Sequence, residues 1–161
     1  MISTAELIKR YGNPDSNNDQ ILDLDWAKAN LVVITLPFPM RLSWQPKTTI
    51  KRAQCHKLIA DNLTAALEQM ASRVSPLNLY DLDLDRWGGC FNFRPIRGGN
   101  ELSRHSWGVA VDINPDIGRL GNAADAAIYP KFIIESFENA GFIWGGRWNE
   151  RPDPMHFEIA Q

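Results

Sequence analysis

The sequence has little of what several classes of protein require. Its 161 residues include only two cysteines, Cys55 and Cys90, and these lack the Cys-x-x-Cys spacing of a structural metal site. No window holds the roughly 18 consecutive apolar residues that a membrane-spanning helix needs. Lysine and arginine form no run, and the net charge is −2, which argues against a nucleic-acid surface. We therefore expect neither a membrane span nor nucleic acid as a partner.

The cysteines and the N-terminal segment also bear on where the protein is made. Two isolated cysteines allow either one disulfide or two buried thiols, and we favour buried thiols in a reducing compartment. Residues 1–12 have no basic stretch followed by an apolar run, so they do not resemble a signal peptide. We therefore expect synthesis in the cytoplasm, and we expect a monomer.

Length and composition are those of one globular domain over residues 1–161. Hydrophobic residues make up 44% and charged residues 22%, so the chain can bury a core. No internal repeat and no linker-like segment divides it. The segment with the informative motifs spans about residues 87–160, and we expect residues 1–86 to be the N-terminal part of the same domain.

Apolar spacing and turn residues predict a mixture of helices and strands. Ser3 and Glu6 have capping-box spacing, and Gly12 closes the first predicted helix. The helix with the clearest periodicity is predicted over 48–72, with His56 on its surface or satisfied by local partners. Pro130 opens another helix, which Gly141 closes. The predicted strands are 31–39, stopped by Pro37 and Pro39, then segments near 77–82, 90–95 and 107–113, and the last strands in FIWGG and MHFEIA.

These elements do not alternate as βαβ units. The sequence therefore favours an α+β fold, with one mostly antiparallel sheet and flanking helices.

Histidine is also scarce, and its placement is the most informative feature of the chain. Two of the three histidines lie in short stretches of small, aromatic and β-forming residues: His105 in SRHSWGVAVDIN and His156 in DPMHFEIA. Asp112 shares the first stretch. Two imidazoles and one carboxylate suit a zinc ion whose fourth position stays open to water.

The residues between His105 and Asp112 must let the backbone turn. The two residues are seven positions apart, roughly 23 Å in an extended chain, which is too far for two ligands of one ion. Gly108 lies where a turn, a bulge or a close backbone approach can be accommodated. Beyond it, valines and Ile113 alternate with Ala110 and Asp112. We therefore expect Asp112 to face a cleft.

The C-terminal stretch shows the same alternation. Met155, Phe157 and Ile159 alternate with His156 and Glu158, so we expect both polar side chains to lie on the face opposite the apolar set.

Several side chains near this constellation can take part in peptide hydrolysis. Asp153, between two prolines, can act as the general acid and base beside a metal. Arg94 or Arg97 can stabilise an oxyanion. Ser103 has no base spaced to activate it, so we expect it to support a turn or a ligand by hydrogen bonding. Trp148 is a candidate for the rim of a substrate cleft. By spacing alone, a metal site and a hydrogen-bonded His–Asp pair remain equally open.

The motifs resemble those of the zinc D-Ala-D-Ala carboxypeptidase and L-Ala-D-Glu endopeptidase family, which is VanY-like and includes phage endolysins. The family pattern is S-x-H-x-x-G-x-A-x-D, followed far downstream by E/D-x-x-H. The positions that match it are Ser103, His105, Gly108, Ala110, Asp112, Asp153 and His156. The likeness covers about residues 87–160 and implies the small α+β fold shared with the hedgehog signalling domain.

The resemblance also implies a role for each matching residue. His105, Asp112 and His156 are the implied ligands of one Zn²⁺ ion, and Asp153 is the implied catalytic acid and base. Arg94 is the implied substrate- and oxyanion-binding arginine, with Arg97 as the competing choice.

The implied function is hydrolysis of peptidoglycan stem peptides, as an endolysin-type L-Ala-D-Glu endopeptidase that reaches the cell wall through a separately made pore. A D-Ala-D-Ala carboxypeptidase is the first alternative. A non-catalytic zinc-binding or structural protein on the same fold is the second.

Overall fold

The computed structural model describes residues 2–159, so the predicted end of the last strand at Ala160 lies outside the described residues. The α-helices there are α1 Thr4–Tyr11, α2 Leu24–Asn30, α3 Ala60–Arg73, α4 Pro76–Asp81, α5 Ala123–Ile128 and α6 Lys131–Asn139. The strands are β1 Leu31–Leu42, β2 Gln45–His56, β3 Arg86–Gly89, β4 Ala110–Ile113, β5 Phe142–Trp144 and β6 His156–Ile159. Short 3-10 turns lie at Lys57–Ile59, Arg104–Trp107 and Gly145–Arg147.

All six strands belong to one sheet, in the order β2-β1-β3-β4-β6-β5. Every neighbouring pair is antiparallel except β1 with β3, which is parallel. The predicted α+β class with a mostly antiparallel sheet is therefore confirmed. The hairpin of β1 and β2, from the N-terminal half, extends the same sheet that carries the histidine motifs in β4 and β6.

Helices α3 and α6 pack against each other, and α3 also packs on β1 while α6 packs on β5. Both helices are amphipathic, because buried residues recur at three- and four-residue steps. The inward side chains of α3 are Leu63, Ala66, Leu67 and Met70, and those of α6 are Ile133, Ile134, Ser136 and Phe137. These two helices therefore bury their apolar faces against each other and against strands β1 and β5.

The first and last helices were predicted correctly. The Ser3 hydroxyl accepts a hydrogen bond from the Glu6 backbone N–H, and Gly12 ends α1 with a φ of 78°. Pro130 precedes α6, and Gly141 follows it with a φ of 92°. Capping residues act within one or two turns of chain, which is why local sequence was sufficient here.

The helix predicted over 48–72 is wrong in its first part. Residues 45–56 form strand β2, and α3 begins only at Ala60. Ala53 and Cys55 are buried while their neighbours Arg52 and Gln54 are exposed, which is the period of a strand. The apolar spacing of α3 continued into β2 by coincidence, because positions four apart fit both a helix and a strand.

His56 consequently ends a strand and is fully buried. Its Nδ1 accepts a hydrogen bond from the Leu58 backbone N–H at 3.1 Å, and its Nε2 lies 3.3 Å from the carbonyl oxygen of Tyr11. The predicted helical position is wrong. Both ring nitrogens nevertheless have partners within the protein, as expected for a histidine that is not a metal ligand.

Strand β1 continues past the prolines that were predicted to stop it. Its register against β2 shifts between Thr35 and Met40, so Pro37 and Pro39 lie in an irregular stretch of the ladder. A proline has no N–H to donate, and such a bulge needs none. The strand therefore reaches Leu42, well beyond its predicted end.

Two other predicted strands are also wrong. Residues 77–82 lie mostly in helix α4, whose N-cap Ser75 and first residue Pro76 are typical of a helix start. The segment 90–95 contributes only an isolated bridge at Pro95, because the strand of this region, β3, ends at Gly89.

The thiols agree with a further expectation. Cys55 and Cys90 are both buried and both free. Over residues 2–159, no helix has the length and apolar character that crossing a membrane requires.

Gly108 makes the turn that was predicted between the two motif residues. It ends the 3-10 turn at Arg104–Trp107 with a φ of 67°. Its carbonyl oxygen accepts a hydrogen bond from the backbone N–H of His56 at 2.9 Å. A Cβ added at this position would lie 2.9 Å from the same nitrogen. Both the left-handed conformation and the close approach of β2 therefore require glycine.

We predict that Gly108→Ala destabilises the protein by roughly 2–5 kcal/mol, because it adds left-handed strain and a backbone clash. Gly121→Ala is the matched control: its φ is 79°, but nothing lies within 4 Å of its added Cβ. The control should lose only about 1–2 kcal/mol. Urea denaturation of both variants measures the difference, and equal losses would show that the contact with His56 is unimportant.

Candidate metal centre

The three side chains predicted as metal ligands meet beside the central strands. One ligand atom from each of His105, Asp112 and His156 lies within 4.8 Å of the other two. Asp112 Oδ1 is 3.3 Å from His105 Nε2 and 3.1 Å from His156 Nδ1. The carboxylate oxygen thus lies between two ring nitrogens that can share one cation with it.

Two hydrogen bonds orient His105, one to its backbone and one to its ring. The side chain of Ser103 caps the 3-10 turn and lies 3.4 Å from the His105 backbone N–H, which donates to it. The ring Nδ1 is 2.8 Å from the carbonyl oxygen of Cys90. Because a carbonyl oxygen can only accept a hydrogen bond, Nδ1 is the donor in this contact, and Nε2 is the ring nitrogen that faces Asp112.

The register of β4 against β6 brings the other two ligands together. Asp112 pairs with His156 across the antiparallel ladder, and their neighbours Val111 and Phe157 pair next to them. Val111 and Phe157 are fully buried in the core. The predicted alternation therefore places the ligands on the opposite face from the apolar pair, as expected for a period of two.

The electrostatics of the cluster favour positive charge between the ligands. Burial opposes the charge of Asp112, but the two histidines outweigh it and hold the Asp112 pKa far below its usual value. Burial also opposes the charge of His156, yet the carboxylates of Asp112 and Glu158 raise the pKa of His156 to about 10. Positive charge is therefore stabilised at this position, although burial alone would disfavour it.

These residues fit a bound metal ion. The donors are two imidazole nitrogens and one carboxylate oxygen, the set found in catalytic zinc sites that keep a position for water. Within the described residues, buried Asp153 Oδ1 and His156 Nε2 have no hydrogen-bond partner in the protein. Because buried polar atoms seldom remain unsatisfied, an unmatched carboxylate oxygen beside the cluster is typical of a place where a ligand or water belongs.

Glu158 supports His156 from the side away from Asp112. Its Oε2 is 3.5 Å from His156 Nε2, and the Glu158 side chain is almost fully buried. Arg104 Nε lies 3.7 Å from the same oxygen. A carboxylate behind a ligating histidine orients the ring and increases its basicity.

Asp153 lies in the loop just before β6, and the side chain is 8% exposed. Its backbone is tied at both ends: its N–H donates to Gly145 at 2.9 Å, and its carbonyl accepts from the His156 N–H at 3.0 Å. Burial raises the pKa of Asp153 to about 6. A carboxylate that exchanges a proton near neutral pH, held next to the cluster, can act as an acid and a base.

The two candidate arginines take different positions. Arg94 lines the cleft that also contains His105 and Asp112, and its backbone N–H and carbonyl both bond the Ser106 hydroxyl. Arg97 is close enough to Asp153 that its charge lowers the pKa of that carboxyl. The structure thus places one arginine on the cleft wall and the other beside the candidate acid.

The tryptophans of the motif segments divide into packing and rim positions. Trp107 and Trp144 are buried, and their indole N–H groups donate to the carbonyl oxygens of Gly12 and Pro154. Trp148 is half-buried, and its ring centre is 5.3 Å from that of His156. Of these three, Trp148 alone is not buried, and it lies against a candidate metal ligand.

Two parts of the site were missed by the sequence analysis. The carbonyl of Cys90 orients His105, and no sequence signal identifies a carbonyl with that role. Trp44 lines the cleft of about 370 Å³ together with Gly88, Gly89, Phe91, Asn92, Arg94, His105 and Asp112. The signal for Trp44 was its position between two strands, which was hidden because most of the second strand lay in the helix predicted over 48–72.

Comparison with known families agrees with the motifs. Residues 97–159 match a family model described as D-alanyl-D-alanine carboxypeptidase. This match confirms the predicted resemblance over a segment that contains all three candidate ligands and Asp153. Arg97 is the first matched residue, and Arg94 lies outside the segment. No curated protein and no solved structure matches the chain.

Residues 97–159 are therefore similar to D-alanyl-D-alanine carboxypeptidases, and they contain a side-chain cluster that can hold a metal ion.

We predict that Glu158→Gln weakens zinc binding by about tenfold, because an amide neither orients the His156 ring as firmly nor contributes negative charge. A chelator competition titration at constant pH measures the change. Glu68→Gln is the control, since it removes the same charge from the exposed face of α3. Equal affinity of the two variants would remove Glu158 from this role.

Proposed function

We propose that this protein is a zinc-dependent peptidase that hydrolyses the stem peptides of peptidoglycan. The observation that carries the proposal is the cluster of His105, Asp112 and His156 with the buried carboxylate of Asp153 beside it. Metal ligands alone are also compatible with a structural ion. A carboxyl whose pKa lies near 6 next to the open side of the cluster supports catalysis.

The three ligands would hold the ion, and each is already oriented by the protein. A zinc ion bound there supplies a Lewis acid that polarises the scissile carbonyl and lowers the pKa of water to about 7. His105 and His156 are kept in position by Cys90 and Glu158, so little reorganisation is needed when substrate arrives.

Asp153 performs the proton transfers in the proposed reaction. Its carboxylate accepts a proton from the attacking water and then delivers that proton to the leaving amine. The prolines on either side, 152 and 154, and the bond to Gly145 hold the backbone in place while the side chain does this. Asp153 Oδ1 has no hydrogen-bond partner among residues 2–159, so this oxygen can bond to the attacking water without first breaking a protein hydrogen bond.

The arginines provide positive charge for the substrate. Arg94, on the cleft wall, is the choice for the developing oxyanion or for a substrate carboxylate. Arg97 favours the charged form of Asp153 and is the second choice for substrate binding.

Two bonds are candidates for cleavage. The phage-like motifs, with aspartate at position 153, favour the L-Ala–D-Glu bond of an endopeptidase. The family description of residues 97–159 favours a D-Ala–D-Ala bond, which a carboxypeptidase removes from the end of the stem peptide. We propose the endopeptidase as the first candidate, acting in the manner of an endolysin after release to the cell wall.

We also propose that the whole chain forms one peptidase domain. In support, β1 and β2 extend the sheet that carries the ligands, and α3 packs against α6.

We predict that the zinc-loaded protein releases peptides from purified peptidoglycan and that a chelator abolishes the release. Mass spectrometry of the new termini identifies the bond: free D-Ala indicates the carboxypeptidase, whereas new N-terminal D-Glu indicates the endopeptidase. Re-addition of zinc after chelation is the control for irreversible unfolding. Intact sacculi after incubation with the zinc-loaded protein would contradict the proposed function.

We predict that Asp153→Asn lowers kcat by roughly 10²- to 10⁴-fold, the usual contribution of a general acid–base group. The variant should bind zinc as tightly as the unmodified protein, which the chelator titration checks. His105→Ala is the comparison, because it should lose metal and activity together. Turnover of the Asp153 variant at the full rate would exclude the proposed proton transfer.

A further inference from the structure

We propose that the tip of the β1–β2 hairpin, with Trp44 as its contact residue, is a subsite for the sugar rings of peptidoglycan. The inference rests on the proposed function and makes the substrate more specific: a stem peptide still attached to its glycan. Nothing in the motif segments points to this residue, which lies 61 positions before His105 in the chain.

Trp44 belongs to the same cleft as the candidate metal centre. Trp44, Phe91 and Arg94 line a cavity of about 370 Å³ that His105 and Asp112 also line. Gly88 and Gly89 also line this cavity, and they carry no side chains that could separate the indole of Trp44 from the candidate ligands. A ligand that occupies the metal-binding end can therefore extend over Trp44.

The indole is carried on a rigid support. The two-residue turn of Ser43 and Trp44 joins strands of 12 residues each. The Ser43 N–H donates to the carbonyl oxygen of Trp87 at 3.0 Å, which ties the turn to β3. Two residues before Ser43, the Arg41 guanidinium forms a buried ion pair with Asp85. An aromatic side chain on such a support can bind without ordering a loop first.

Trp44 is also much more exposed to solvent than the tryptophans of the core. Its exposed fraction is 64%, whereas Trp26, Trp87, Trp107 and Trp144 are each at most 7% exposed. No ring contact or side-chain hydrogen bond links the Trp44 indole to the rest of residues 2–159. A large aromatic surface on a cleft wall, with a free N–H at its edge, is typical of a binding contact.

The chemistry of the proposed substrate selects the sugar as the partner of this indole. Stem-peptide side chains are small or charged, so they offer no flat apolar surface for stacking. A pyranose ring presents a face of C–H groups that can lie on an aromatic ring, and its N-acetyl carbonyl can accept from the indole N–H.

The position of the subsite also bears on which bond is cut. The L-Ala–D-Glu bond is one residue from the sugar, and the D-Ala–D-Ala bond is three residues further, or roughly 10 Å in an extended peptide. A sugar subsite in the cleft that holds the metal ligands therefore fits cleavage near the glycan. This agrees with the endopeptidase candidate.

The test compares two substrates that share one pentapeptide, L-Ala-D-Glu-diaminopimelate-D-Ala-D-Ala, with and without the GlcNAc–MurNAc disaccharide. Trp44→Ala should raise KM for the disaccharide peptide by about three- to tenfold more than it raises KM for the free peptide. Trp44→Phe should restore part of the loss. The control is Leu77→Ala, at an apolar residue of α4 that is 69% exposed and lies outside the cleft. Equal effects of Trp44→Ala on both substrates, or none on either, would overturn the proposal.

A second measurement separates this inference from the proposed function. Peptide-free glycan strands immobilised on a column should retain the unmodified protein longer than Trp44→Ala, with Leu77→Ala retained as the unmodified protein is. If neither pentapeptide substrate is cleaved but retention differs in this way, the peptidase proposal fails and the sugar subsite stands. Equal retention of all three proteins overturns the subsite, whatever the activity.

Discussion

The antiparallel pairing of β4 with β6 is the contact on which the candidate site depends. It sets Asp112 opposite His156, residues 44 positions apart, so that Asp112 Oδ1 and His156 Nδ1 lie 3.1 Å from each other. The pairing is held by Val111 and Phe157, which are buried on the other face. A slip of one residue would turn the ligands into the core and the apolar pair outward, because strand side chains alternate. Core packing and ligand geometry are therefore one constraint.

Around this contact, several carboxylates are buried close together, and neighbouring groups hold their side chains in position. Asp112, Asp153 and Glu158 lie near His156, and among the described residues Asp153 Oδ1, Glu158 Oε2 and His156 Nε2 have no hydrogen-bond partner. Buried charge without compensation is unfavourable, so such a cluster is stable when a positive species is shared among its members. The same burial raises the pKa of Asp153 to about 6, which links the stability of the site to its proposed chemistry.

Sequence was sufficient where a feature depends on residues close together in the chain. The cap of α1 at Ser3, the turn at Gly108 and the alternation around Asp112 were all predicted, since each follows from local sterics or a period of two. The helix predicted over 48–72 was wrong up to residue 56, where four-residue spacing fits a strand as well as a helix, and this hid the hairpin that carries Trp44. Only pairing with β1 makes that segment a strand.

By itself, the sequence determined the identity of the donors, their division between two distant stretches and the family that those stretches resemble, because these are properties of residue type and spacing. The tertiary structure decided which ring nitrogen of His105 faces Asp112, which carboxylate stands behind His156 and which tryptophan borders the cleft. Each of these depends on a partner far away in the chain: the Cys90 carbonyl, the register of β6, and the attachment of the hairpin to β3. Long-range contacts of this kind produce no local pattern in the sequence, so they are identified only in the tertiary structure.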